Sequence, residues 1–336
     1  MRTRICFLLV LVVLGLVRLR LLAQEMPTLR SGTTVVLVPT LVTDVKGATV
    51  FGLSEKDFAV LDNGVEQKVQ LDEVIRSGNT SLVVAIEKGR HPDDTLDKVH
   101  RLSSMLYPII GEGKGEAAVV AFDSSPVLIQ DFTGDLDRVA QALNRIQPGD
   151  YNAALLDAIS FSAGLLEKRP KTDRKVLLLV SEPSDRGSAN KIPTILRQIE
   201  RSNVLVYSAG YSPSTVSSLF GKSQAEKASS SGNLLALFSA LSRSAKENTA
   251  KTVAELSGGE YFPFADARKL EDGLADISNH YFNQYLLSFT PKALSLGQHT
   301  LRVYVRGRSD VQTFSRSGYW VGPDPNDEQV GEAKQP

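Results

Sequence analysis

The stretch Ser81-Leu-Val-Val-Ala-Ile-Glu-Lys-Gly-Arg-His91 decides the reading of this chain. Its apolar run stops at a carboxylate, and a glycine, two basic residues and His91 follow. A run without polar alternation, followed by a helical pattern, reads as a strand covered on both faces of a parallel sheet. Ligands of open α/β sheets sit beyond the carboxyl ends of the strands, so residues 87–91 fall on a candidate rim.

Downstream, strands and helices alternate. Leu96, Val99, Leu102, Leu106 and Ile109 keep a helical period, and residues 117–122 form a buried strand with residues 127–129 as its antiparallel partner. Helices are expected around Leu136 to Ile146 and over 153–166, the second ended by Arg169-Pro170. Apolar strands follow at 176–180 and 204–207, with a helix bearing Ile192, Ile195, Leu196 and Ile199 between them. Residues 211–232 are Ser- and Gly-rich and read as a mobile loop, residues 234–256 as helical, and Gly258-Gly-Glu-Tyr-Phe262 as a turn and a short edge strand. Leu270, Leu274, Ile277 and Tyr281 mark an amphipathic helix.

Both flanks read as β. Residues 33–43 are rich in Val, Leu and Thr, and Asn63-Gly64 sits between alternating runs as a type I′ hairpin turn. Residues 285–289, 300–305 and 311–314 restore strand chemistry near the other end. Two small β-pieces would each struggle to bury a core, so the simplest arrangement pairs both ends into one antiparallel sandwich carrying the α/β domain. The expected division is a leader over 1–23, an N-terminal β-module over 27–76, an α/β domain over 81–283, completing strands over 284–321, and a disordered tail over 322–336.

Arg2 and Arg4 precede an apolar run over 5–17, which is short for a membrane span and right for an export signal. We therefore expect an exported protein, periplasmic, cell-envelope or secreted, touching a membrane only if that segment stays uncleaved. The only cysteine, Cys6, lies in the leader, so the mature chain has neither a disulfide nor a thiolate site. Lys and Arg balance Asp and Glu at 38 each, so charge does not point to nucleic acid. Asn79-Thr-Ser81 is a formal glycosylation sequon of the kind that usually arises by chance.

These elements resemble a von Willebrand factor type A domain. The resemblance rests on Leu155-Leu-Asp-Ala-Ile159, Val176-Leu-Leu-Leu-Val-Ser-Glu182, Val206-Tyr-Ser-Ala-Gly210 and Leu256-Ser-Gly-Gly-Glu-Tyr-Phe262. The flanking motifs Gly52-Leu-Ser-Glu-Lys-Asp-Phe58, Gln284-Tyr-Leu-Leu-Ser-Phe-Thr-Pro291 and Arg316-Ser-Gly-Tyr319 are similar to the type A-related exported proteins typical of acidobacteria. The resemblance implies a doubly wound, Rossmann-like α/β fold with one antiparallel edge strand.

It also implies a rim where relatives hold a magnesium-type ion on Asp-x-Ser-x-Ser, a Thr and a later Asp. Those positions correspond here to Glu87, Gly89, His91, Ala153 and Glu182. Gly89 and Ala153 bring no ligand, and His91 brings nitrogen where magnesium prefers oxygen. A one-residue shift of register would bring Asn152 to the Thr position and restore an oxygen. We expect no metal and no cofactor at this degenerate site, magnesium or manganese being the ions an intact one would hold. Three further readings stay open: a softer zinc or manganese site from the two Glu and His91, carboxylates simply solvated, or carboxylates neutralised by His91, Lys88 or Arg90.

Other constellations carry less. Gly111-Glu-Gly-Lys-Gly115 follows a helix and precedes a strand, the reverse of a phosphate loop, and reads as a connector. His100 and His280 lie on helical patterns as surface or packing residues, and Asp157 beside a helix start reads as structural. The late aromatics Tyr261, Phe262, Phe264, Tyr281, Phe282 and Tyr285 read as core and junction packing.

The expected function is non-catalytic binding of a protein or cell-surface ligand, independent of metal. The expected surface comprises Glu87, Lys88, Gly89, Arg90, His91, Asn152, Ala153, Glu182 and Asp185, with residues 149–151 and the 211–232 loop beside it. The alternative is a structural scaffold of a cell-envelope complex that acts through the β-module with an inert rim. A hydrolase using Glu87 and Glu182 as acid and base is a third class.

Overall fold

The computed structural model of this chain describes residues 35–71, 78–89, 102–111, 113–211, 248–293 and 295–322. The expected leader, Arg90, His91, the loop expected over 211–232 from residue 212 on, the first part of the helix expected over 234–256, and the expected tail from 323 lie outside the described residues.

In chain order the elements are β1 (Val36–Asp44), a single 3-10 turn (Glu55–Asp57), β2 (Phe58–Asp62), β3 (Val65–Gln67), β4 (Val69–Leu71) and β5 (Thr80–Glu87). There follow α1 (Leu102–Met105), α2 (Tyr107–Ile110), β6 (Gly115–Phe122), β7 (Pro126–Thr133), α3 (Leu136–Asn144), α4 (Leu155–Glu167) and β8 (Arg174–Ser181). The remainder is α5 (Ile192–Ser202), β9 (Val204–Tyr211), α6 (Thr249–Ser257), β10 (Tyr261–Phe264), α7 (Ala267–Asn283), β11 (Tyr285–Phe289), β12 (Gly297–Val305), β13 (Val311–Ser315) and β14 (Gly318–Val321).

The central sheet runs β10-β9-β8-β5-β6-β7, parallel throughout except for the edge strand β7. Every residue of β5 is buried, as its unbroken apolar sequence requires of a strand covered on both faces. Leu82, Val84 and Ile86 point into one core, shared with α1, α2, α3 and α7, while Val83 and Ala85 point into the other, shared with α4, α5 and α6. A fully buried Leu or Ile of this kind contributes about 1.5–3 kcal/mol.

The helix expected from the period of residues 96–109 is a broken one. Its described part forms two short helices, α1 and α2, and Pro108, which lacks an amide hydrogen, stands in the first turn of the second.

Both ends of the described chain close one sandwich. One sheet is β13-β1-β11-β4 and the other β14-β12-β2-β3, all antiparallel. Val38 pairs with Leu287, and Val60 with Val303, so early and late segments are neighbours in each sheet. Between the sheets lie Val38, Val42 and Leu287 from one side and Phe58, Leu301 and Val303 from the other. Asn63 and Gly64 take φ of 47° and 83°, as the type I′ turn between β2 and β3 demands.

Candidate functional site

β5 has β6 on one side and β8 on the other, so the chain reverses its direction of winding at the carboxyl ends of β5 and β8. That switch point is the crevice where open α/β sheets place ligands. Glu87 ends β5 and Glu182 follows β8, and Glu87 Oε2 accepts the Glu182 backbone N–H at 2.7 Å. The Glu87 side chain is 0% exposed.

Arg186 stands between the two carboxylates. Its Nη1 is paired with Glu182 Oε2, and its Nη2 lies 3.4 Å from Glu87 Oε1. A reciprocal backbone pair fixes it in place: Ala153 N–H donates to Arg186 O at 3.0 Å, and Arg186 N–H to Ala153 O at 2.7 Å. Burial pushes the Glu87 carboxyl up to about 7; the Glu182 amide and Arg186 pull it down, while the Glu182 charge adds to the rise.

Gly89 is packed so closely that a Cβ would meet Asn152 O at 2.7 Å and Asp150 O at 2.9 Å. The position where the resemblance places a serine ligand is therefore sterically closed here. Ala153 is fully buried and engaged through its backbone alone. Among the described residues, no group of three or more His, Cys, Asp or Glu is placed to hold a metal ion.

A second polar cluster adjoins the first. Lys88 Nζ is 2.7 Å from Asp123 Oδ2, and Lys88 N–H donates to Phe122 O at 2.8 Å. Burial opposes ionisation of Asp123, but Lys88 and the Asp150 amide outweigh it and hold the carboxyl below its usual value. Ser124 pairs with Asp150, and Asn152 Nδ2 donates to Ser124 Oγ at 2.8 Å. Between Asp150 and Asn152, Tyr151 is 78% exposed.

Asp185 and Asp157 stitch the loop after β8 to α4. Leu156 N–H donates to Asp185 Oδ1 at 3.1 Å, capping a helix whose own preceding residue, Ala154, has no capping group. Asp157 accepts the N–H groups of Ala189 and Asn190, each at 2.9 Å.

The expected rim residues thus divide. Glu87, Gly89, Ala153 and Glu182 converge, Lys88 and Asn152 belong to the adjoining cluster, and Asp185 serves the helix terminus. Arg90 and His91 lie outside the described residues. Two of the open readings are narrowed: Glu87 is buried rather than solvated, because the sheet and the loop after β8 enclose it, and Lys88 neutralises Asp123 rather than the Glu pair. Arg186 went unnoticed, although Glu182 and Arg186 are spaced four apart directly beyond a buried strand.

A further constellation lies inside the sandwich. His299 Nδ1 is 2.7 Å from Asp62 Oδ1, Tyr319 donates its hydroxyl to Asp62 Oδ2 at 2.7 Å, and the two rings stack at 4.5 Å. Ser295 Oγ is 3.0 Å from His299 Nε2, which suggests a nucleophile beside a base, but the same nitrogen is 2.8 Å from the Ser295 carbonyl. That contact takes up the nitrogen a relay would use as its base, so the group ties β2, β12 and β14 together.

No family model matches the chain, and neither does any curated protein. Solved structures do align. An aerotolerance-related membrane protein of Bacteroides fragilis is 14% identical over 60% of this chain and 99% of its own, with a TM-score of 0.41. The protein BatB of Bacteroides thetaiotaomicron is 11% identical over 60% and 99%, at 0.44. The vWF domain of the type V pili tip protein Mfa5 of Porphyromonas gingivalis is 9% identical over 61% and 95%, at 0.42. These likenesses span about three fifths of this chain; its mainly parallel sheet with a single antiparallel edge strand rests on the chain's own strand pairing.

Proposed function

We propose that this chain is a non-catalytic, extracytoplasmic binding module whose rim engages a protein or cell-surface ligand without a metal ion. The observation that carries this reading is the position of Arg186 between Glu87 and Glu182. A guanidinium there supplies the positive charge that a divalent cation would otherwise bring to paired carboxylates, and it is held by backbone rather than by affinity. The degenerate positions support the same reading, since Gly89 admits no larger residue and Ala153 carries no donor.

Recognition then falls to the exposed part of the rim. Tyr151 projects beside Lys88, Asp123 and Asp150, and an exposed tyrosine flanked by charge is the composition of an interface anchor. The apolar run over residues 5–17, with Arg2 and Arg4 before it, supports export, and the cell envelope is the setting this reading takes.

Photo-crosslinking tests this. A benzophenone residue replacing Tyr151 is compared with one replacing Phe51, which is exposed on the sandwich. A single envelope partner captured from Tyr151, equally with and without chelator, is the expected result. Capture that chelator abolishes would sink the metal-independent reading, and capture only from Phe51 would favour the scaffold. Titration with magnesium or manganese is expected to give no saturable heat.

A further inference from the structure

A cavity of about 630 Å³ opens at the end of the α/β sheet opposite the rim, where the amino ends of β8 and β9 meet the sandwich. That size is typical of small-molecule sites. One wall is apolar: Val35, just before β1, Leu37 and Pro39, which follow it at alternate positions in β1, and Leu286 of β11. The other wall is basic, with five Lys and Arg side chains against two acids. Of those acids, Asp173 is already engaged, accepting the Ser81 hydroxyl at 2.6 Å.

Two buried residues of the lining have polar atoms with no protein partner. Arg316, 3% exposed, spends its Nη1 on Asn203 and Leu37 O and its Nη2 on Glu200 O, yet its Nε–H has no acceptor. Gln284, 4% exposed, donates through Nε2 to the Tyr207 hydroxyl and leaves its carbonyl Oε1, an acceptor, without a partner. Lys175 is also buried and lines the cavity; burial disfavours its charged form, while the nearby Glu167 and Asp173 carboxylates favour it. The Arg316 Nε–H is a buried donor without an acceptor, which is costly, and a ligand oxyanion would satisfy it.

We propose that this cavity binds a single-chain amphiphilic anion of the fatty-acid class. Its carboxylate meets Lys175 and Arg316, and its chain lies along Val35, Leu37, Pro39 and Leu286. The site is independent of the rim and of the function proposed there.

The test is calorimetric titration of the full exported chain with sodium decanoate below its micelle concentration. One-to-one saturable binding is expected, with decanol and decyltrimethylammonium at least tenfold weaker. Decyl phosphate separates a carboxylate from a phosphate head: tighter binding of the phosphate would overturn the fatty-acid assignment. Lys175→Met is expected to weaken decanoate at least tenfold; burial already disfavours the charged lysine, so this variant is expected to fold. Leu37→Asp, on the half-buried outer face of the strand, tests the apolar wall independently and is expected to abolish binding. Tyr151→Ala is expected to bind as the unaltered protein does. No saturable binding, binding that Lys175→Met and Leu37→Asp both leave unchanged, or equal binding of decanol would each overturn the proposal.

Discussion

Arg186 Nη2 lies 3.4 Å from Glu87 Oε1, on a carboxylate with no exposure to solvent. A buried charge pair is weak support for overall stability, because desolvation offsets attraction, but removing one partner strands the other. Arg186→Met is therefore expected to destabilise by about 3 kcal/mol at pH 8, measured by denaturant unfolding. At pH 5 the stranded Glu87 is protonated and the cost shrinks. Equal costs at both values would show that Arg186 acts through packing alone.

Glu87 also sets a pH dependence. Its folded-state pKa, about 7, lies above the ordinary 4.5 because burial disfavours the charged form. Between those values the unfolded chain releases a proton that the folded protein retains, so stability falls as pH rises through this window and levels off above about 7. Glu200, pushed to about 7 chiefly by burial, contributes in the same direction. Glu87→Gln should remove about half of the decline, seen as a flatter plot of unfolding free energy against pH from 4.5 to 7.5.

A basic group gives the same direction of pH dependence through the opposite cause. His280 Nδ1 lies 2.9 Å from Glu260, and that bond raises the histidine above its usual 6.5 despite partial burial. The stabilisation is full below pH 6.5 and is lost as pH rises through the raised value. His280→Gln is expected to cost about 0.5–1 kcal/mol at pH 5.5 and little at pH 9. A thermal melt series at the two pH values reads this directly.

In the sandwich, Asp62 accepts from Tyr319 and lies against His299, with all three buried. Asp62→Ala leaves two buried polar groups without their acceptor and is expected to cost about 2–4 kcal/mol. Tyr319→Phe removes one hydrogen bond and should cost about 1 kcal/mol. A double-mutant cycle is expected to show coupling between the two; additivity would mean that the bond contributes little.

Gly89→Ser restores the ligand type that the resemblance places at this position. The added Cβ meets the Asn152 and Asp150 carbonyls, which are backbone and cannot swing aside. The expected result is a loss of about 2 kcal/mol without any gain of magnesium binding, read by unfolding with and without the ion.

Much of this architecture was legible because it depends on local order along the chain. The unbroken apolar run over residues 82–86 specified a strand covered on both faces, since no exposed face could tolerate it. Asn63-Gly64 specified its own turn, because few other pairs accept two positive φ values. The convergence of Glu87 and Glu182 followed from both lying at strand ends.

Tertiary structure decided what depends on direction and distance between segments far apart in sequence. Lys88 is adjacent to Glu87 in the chain, yet it pairs with Asp123 because successive residues at the end of a strand point to opposite faces. Arg186 reaches the carboxylates because the loop after β8 folds back to pair with Ala153, a contact made by backbone atoms common to all residues and so without a signature of its own. Asp62, His299 and Tyr319 meet only when both chain ends close one sandwich. Sequence determined the elements through period and composition; three-dimensional closure determined which charges were buried, and against what.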